Sequence, residues 1–219
     1  MKINLHGLFA AFMLTTAGIL FPFCLAAQNS SITRSLPSFD KIGISGGYDA
    51  VFLQEGDSES VTLEISGIDP DKITTEVKNG TLQISTKKGY YKNFKAKITV
   101  TYRNLKSVAS SGSTDIVALS PIKANEFELA TSGSGDFKGA LEVQKLEIAI
   151  SGSSDMSLSG NAATQEIAIS GSGDVDASAL KGSAADVAIS GSGDVKLNVS
   201  GKIKTAVSGS GRVTNQAGE

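Results

Sequence analysis

The stretch LEIAISGSSDMSL, residues 146–158, decides the fold. Leu146, Ile148 and Ile150 alternate with Glu147 and Ala149, the two-residue period of a strand with one apolar face. Ser151-Gly-Ser-Ser-Asp155 then reads as a turn, and Met156 and Leu158 resume the alternation. Outward from this point the same pentapeptide recurs, starting at Ser111, Ser132, Ser151, Ser170, Ser190 and Ser208. Successive starts lie 21, 19, 19, 20 and 18 residues apart. That period is too short for helix-pair repeats. The columns around the motif agree. An apolar residue follows the fifth position each time, as Ile116, Phe137, Met156, Val175, Val195 and Val213. Two before the first Ser stands Ala in all six copies: Ala109, Ala130, Ala149, Ala168, Ala188 and Ala206.

A single coil of this length cannot bury its own inward side chains. Stacking coils solves the problem, because each strand pairs with its equivalent one coil along, ~4.8 Å away. The expectation is an all-β chain whose second half, 108–214, is a β-solenoid of about 20 residues per coil. Gly112, Gly133, Gly152, Gly171, Gly191 and Gly209 are expected at a repeated corner that needs positive φ. The flanking Ser residues are expected to form stacked hydroxyl ladders. The Ala column fits self-association, packing of the first half, plain exposure or a thin interior.

The first half, 37–107, is β-rich without a clear repeat. Ser45-Gly-Gly-Tyr-Asp49 reads as a degenerate first copy of the pentapeptide. Strands are expected near 61–65, 73–77, 81–86 and 95–102, with Asn79-Gly80 as a hairpin turn. This half is expected to begin the stack and cover its end, hiding an edge that would recruit other chains. Residues 28–36 read as a flexible polar leader and 215–219 as a short tail.

Residues 1–27 read as a signal peptide: Lys2, an apolar run from Leu8 to Leu25, then Ala26 and Ala27. An uncleaved anchor and a lipid-modified Cys24 are the alternatives. His6 and Cys24 are the only His and Cys of 219 residues, and Trp is absent. A chain trimmed after Ala27 would carry no disulfide and no His or Cys chemistry. The net charge of −2, without a basic block, gives no footprint for nucleic acid. The expected location is exported: periplasmic, outer-membrane-associated or extracellular, with no transmembrane span in the trimmed chain.

Phe39-Asp40-Lys41-Ile42 leading to Ser-Gly-Gly-Tyr-Asp49, the strand Asn79-Gly80-Thr81-Leu82-Gln83-Ile84, and the later Ser-Gly-Ser-Gly-Asp repeats resemble the DUF2807 family. That family is described as a "putative auto-transporter adhesin, head GIN domain" and is common in Bacteroidota. The resemblance spans about 38–214. It implies a right-handed parallel β-helix-like, pectin-lyase-like fold in the cell envelope, an adhesive role, and no catalytic residues or cofactor to carry over.

Two groups of residues are candidates for binding. Asp115, Asp136, Asp155, Asp174 and Asp194 would stack as carboxylates about 5 Å apart, where a cation such as Ca²⁺ would relieve repulsion. The plainer reading has each Asp accept bonds from the turn. Tyr90, Tyr91, Lys92 and Phe94, with neighbouring lysines, form the one basic aromatic stretch and could contact an acidic glycan or a protein. The functional expectation is a noncatalytic surface protein, an adhesin or scaffold-type module whose partner is a surface glycan or protein. A carbohydrate-active β-helix enzyme and a calcium-stabilised structural module are the alternatives.

Overall fold

The computed structural model describes residues 30–91 and 93–217; the expected signal peptide, Lys92 and the last two residues lie outside the described part. The described residues form fifteen strands and one short 3-10 turn at Pro70–Lys72. The first seven are β1 (Ser30–Ser35), β2 (Lys41–Gly46), β3 (Ala50–Glu55), β4 (Ser60–Ser66), β5 (Ile73–Lys78), β6 (Thr81–Thr86) and β7 (Lys95–Tyr102). Then come β8 (Ser107–Gly112), β9 (Ile116–Ala118), β10 (Ile122–Gly133), β11 (Phe137–Gly152), β12 (Met156–Gly171), β13 (Val175–Gly191), β14 (Val195–Gly209) and β15 (Val213–Asn215).

The later strands are long because each runs around most of a coil. From β8 onward the pairing is parallel, and Gly112, Gly133, Gly152, Gly171, Gly191 and Gly209 lie one above another in register; away from this corner the register shifts at bulges between Ser157 and Ser159, Asp176 and Lys181, and Gly182 and Ala184. The chain is a β-solenoid, with six turns between 107 and 215. Gly46 extends the same column at its start, so Ser45–Asp49 is a true first corner and β2 and β3 are its flanking strands.

The inward columns form the core. Ile42, Val108, Leu129, Ile148, Ile167 and Val187 stack in register and are at most 3% exposed. Each is covered by its like above and below, so burial of every inner coil depends on its neighbours. Stacked Phe137, Met156, Val175 and Val195 fill the opposite wall.

The corner explains the glycines. Gly152 has φ 135°, a region that L side chains avoid. A Cβ built there would stand 2.2 Å from the carbonyl oxygen of Gly133, one coil away. Close approach, as well as conformation, fixes the residue. The inter-coil bonds at this corner run through backbone: Ser153 N–H donates to Gly133 O at 2.9 Å, and Ser172 N–H to Gly152 O at 2.9 Å. The serines lie in line, but these backbone bonds, rather than the hydroxyl ladder expected from the sequence, stitch the corner.

The start of the stack is closed by antiparallel strands. β5 and β6 form a hairpin through Asn79 (φ 50°) and Gly80 (φ 73°), as a type I′ turn requires, and β6 lies on β2. On the other face β7 lies on β3, β4 on β7 and β1 on β4. Here the expectation of a flexible leader at 28–36 needs correcting, because Ser30–Ser35 is the edge strand β1. Its polar composition suits a strand facing water on one side. Its pairing with β4 comes from a segment 30 residues on, which no local pattern announces. Arg34 then reaches across the end: Nη1 donates to Ile73 O at 2.7 Å and to Thr75 Oγ1 at 2.9 Å, and Nη2 to Pro70 O at 2.9 Å.

A few inward positions break the apolar rule: Ser110 and Thr131 share the column of Ile44 and Ile150, and Thr131 Oγ1 lacks a partner among the described residues. Gln165 stacks on Leu146, is 1% exposed, and both its amide atoms lack a partner among the described residues. Gln165→Leu is therefore expected to raise stability by about 1 kcal/mol. Gly152→Ala is expected to lower it by at least about 2 kcal/mol, while Ser153→Ala stays within about 0.5 kcal/mol. Chemical denaturation of the three variants measures all three.

Candidate functional site

The outward face of the Gly-corner strands is built by the same register. Ala109, Ala149, Ala168, Ala188 and Ala206 are exposed and Ala130 is half-buried. Of the four arrangements the sequence leaves open for this column, an outward floor is the one observed. The floor is concave. A groove of about 1020 Å³ follows it from Gly43 and Gln83 in the first coil to Ala206, Val207 and Ser208 in the last. The eight strands from β6 to β14 that line it, at ~4.8 Å spacing, give it a length of roughly 34 Å. Its lining is the alanine column, the column from Ile44 through Ile150 and Ile189 to Val207 that follows it, and a rail of serines, Ser45 and Ser111 through Ser208.

The other side carries charge. Glu128, Glu147, Glu166 and Asp186 stack in register beside the Ala column, and Lys204 ends the row. Lys145 bridges this rail, bonding Glu147 and, at 3.0 Å, Glu166. Those two bonds push the Lys145 ammonium upward from its ordinary range, and Lys145 holds Glu147 below the usual carboxylate range. Both groups stay charged at neutral pH. Small residues set the groove's depth: any larger side chain in the Ala column would fill it.

The Asp column lies elsewhere, at the end of each pentapeptide. Asp115, Asp136, Asp155 and Asp174 each accept, through Oδ1, the backbone N–H of the Asp one coil on, at 3.1, 3.0, 3.0 and 2.7 Å. Asp194 does the same for Arg212 N–H at 2.8 Å. The carboxylates form a coil-to-coil ladder bonded to backbone. Among the described residues no group of three or more His, Cys, Asp or Glu is placed to share one metal ion.

The aromatic loop is a surface feature remote in sequence from the repeats. Tyr91 and Phe94 meet edge to face with ring centroids 6.4 Å apart, and Tyr90 is 84% exposed. Lys92 lies outside the described residues. The loop joins β6 to β7, so it belongs to the cover at the start of the stack and not to the groove.

No buried acid pair of the kind a glycosidase uses is formed by the ladder or the rail; both are exposed rows. The buried Glu59 is committed structurally, accepting from Ser38 Oγ at 3.0 Å and meeting Arg103 Nε at 3.3 Å. The groove itself was missed in the sequence. A signal was present: Ala149 shares its strand face with Glu147, which is outward.

Stacked parallel coils with a long groove along one face define the chain as a β-solenoid. The sequence model of the DUF2807 family, "Putative auto-transporter adhesin, head GIN domain", matches residues 38–217, and the chain belongs to that family. Solved structures share the fold. A protein of Bacteroides fragilis described as a "putative adhesin" superposes with a TM-score of 0.73 at 20% identity, covering 87% of this chain and 98% of its own. A "putative lipid binding protein" of Parabacteroides distasonis gives 0.64 at 20% identity, covering 85% and 96%. A "putative adhesin" of Parabacteroides merdae gives 0.58 at 18%, covering 85% and 95%. At these identities the likeness concerns the fold. No curated protein matches the chain significantly.

The ladder makes a prediction of its own. Asp155→Asn keeps an acceptor for Asp174 N–H and removes one like charge from the column, so its melting temperature should match or exceed the wild type. Asp155→Ala leaves that amide without its bond and should melt lower. Added Ca²⁺ should leave the wild-type melting temperature unchanged, which differential scanning calorimetry checks.

Proposed function

We propose that the chain is an exported, noncatalytic surface protein of adhesin type, with the groove as its contact surface. The observation that carries this reading is the groove's construction. It is continuous over seven coils, apolar along its floor, and flanked by hydroxyls on one side and carboxylates on the other. Such a surface holds an extended chain lying along the solenoid axis better than a compact small molecule. The family description supports an adhesive role, and the apolar run at 8–25 supports export. Among the described residues no helix is long and apolar enough to cross a membrane.

The residues also favour binding over catalysis. The Asp ladder is spent on backbone amides and the acidic rail is paired in part with Lys145. Neither column is interrupted by an insertion that would build a cleft around one carboxylate pair. A second reading is favoured by the predominantly alanine floor: an acyl chain of a lipid laid in the groove, the ligand class named for the Parabacteroides distasonis relative.

Surface protease shaving of cells that express a tagged chain should remove the tag signal while a periplasmic control survives. Purified protein should then bind a subset of surface glycans or matrix proteins in an array. Ala149→Lys with Ala168→Lys fills the groove midway and should weaken that binding at least about tenfold, a loss of ~1.4 kcal/mol, with the melting temperature preserved. Binding that survives this double change, yet is lost with Tyr90→Ala and Tyr91→Ala, would move the contact surface to the aromatic loop. Displacement of a fluorescent fatty acid from the same variants separates the lipid reading.

A further inference from the structure

The two ends of the solenoid are finished differently. At the first end both faces close with antiparallel strands, and Arg34 spends its guanidinium on the exposed Ile73 carbonyl and Thr75 hydroxyl of the edge strand β5. At the last end only the first part of β14 is covered. β15 pairs Val195, Leu197 and their neighbours, and the Asn215 side chain continues that pairing by accepting from Val199 N–H at 2.8 Å and donating to Val199 O at 2.9 Å. Beyond this, Lys202 to Gly209 pairs with β13 on one side and with no strand on the other among the described residues.

The uncovered part carries unfinished core. Ala185, Val187 and Ile189 of the preceding coil are 6%, 0% and 2% exposed. Their partners one coil on are Ile203, Thr205 and Val207; Thr205 is exposed, Ile203 half-buried and Val207 44% exposed. One more strand laid on this edge would bury all three as their predecessors are buried, and would satisfy a row of open backbone groups.

We propose that this strand is β14 of a second copy of the chain, so that two molecules join tail to tail about a two-fold axis. The sequence of the edge pairs with its own reverse. With Thr205 opposite Thr205, antiparallel pairing sets Ile203 against Val207 of the second copy, and Val207 against its Ile203, all on the inward face. On the outward face it sets Lys204 against Ala206 and Lys202 against Ser208. Apolar residues meet apolar residues, and no lysine opposes a lysine, which would be unfavourable across strands. Lys204 keeps its bridge to Asp186 at 3.4 Å. The head-to-tail alternative would need β1 or β5, the two edges of the first end, as the acceptor; Arg34 of β1 ties these two together through Ile73 O and Thr75 Oγ1 of β5, and neither strand runs parallel in register with the repeats as β14 does. A tail-to-tail contact is isologous and closes at two copies. It also has a consequence for binding: Ala206, Val207 and Ser208 belong to both the edge and the groove, so in this register each groove ends against the segment 202–204 of the second copy.

Light scattering on the purified chain across a concentration series tests this. The expected species is a dimer that dissociates on dilution, and Val207→Lys should raise the dissociation constant at least about tenfold. In a Cys24→Ser background, Thr205→Cys should form a covalent dimer on mild oxidation, whereas the exposed mid-solenoid Lys138→Cys should not. The cross-link keeps the test decisive if Val207→Lys folds poorly. A monomer at every concentration, open-ended larger assemblies, or a dimer that ignores Val207→Lys and fails to cross-link at 205 would overturn the proposal. None of these outcomes touches the assignment of the groove, which is read by ligand binding.

Discussion

A glycine without a side chain, held one strand spacing from the glycine below it, is the contact on which every other column depends. At Gly112, Gly133, Gly152, Gly171, Gly191 and Gly209 an added Cβ would come within 2.0–2.2 Å of the preceding glycine's carbonyl oxygen. The column therefore fixes the vertical register of consecutive coils. Once register is fixed at one corner, parallel pairing carries it around each coil, and the inward residues must stack like on like. The same constraint reaches the second small position of the turn. At Gly135, Gly173 and Gly193 an added Cβ would stand 2.0–2.3 Å from a backbone oxygen of the coil before. Two backbone contacts per coil, rather than any one large hydrophobic residue, align the stack.

Repetition made the fold legible in the sequence. A strand signal that occurs once is ambiguous, but six copies with Ala, Gly and an apolar residue at fixed offsets leave little besides stacked coils. Asn79-Gly80 was equally plain, because positive φ at two successive residues has a short list of solutions. What escaped is non-local. β1 is polar and Ser-rich, and its strand character comes from β4, so its own residues announce nothing. Arg34 reads as a solvated charge until the chain end brings Ile73, Thr75 and Pro70 beneath it. Gln165 sits in an inward column where its neighbours are Leu146 and Ala185, a placement that pattern alone would assign to an apolar residue.

The site was half legible. The Asp column was visible as a column, but each carboxylate accepts the backbone N–H of the next coil, a bond between coils that one turn read by itself does not announce. The groove was harder, because alanine is small enough for either side of a strand. Which side it takes is set by Glu147 and Glu166, whose charges exclude an inward position on the same face. The concavity is a property of how the coil bends between its corner and its other walls, and no single residue encodes it.

Along the solenoid the surface repeats coil by coil. Each outward column repeats one side chain at a fixed interval, so whatever the surface offers, it offers seven times along a line. For a small substrate that redundancy is wasted. For a long or repetitive partner it is additive: many weak, equivalent contacts act in parallel, and losing one coil's contribution weakens binding without abolishing it. Length then becomes the adjustable quantity. The asymmetry of the ends bears on this: antiparallel strands cover the first coil on both faces, whereas at the last coil only the start of β14 is covered. The same backbone geometry that aligns the coils thus sets both the pitch and the span of the groove.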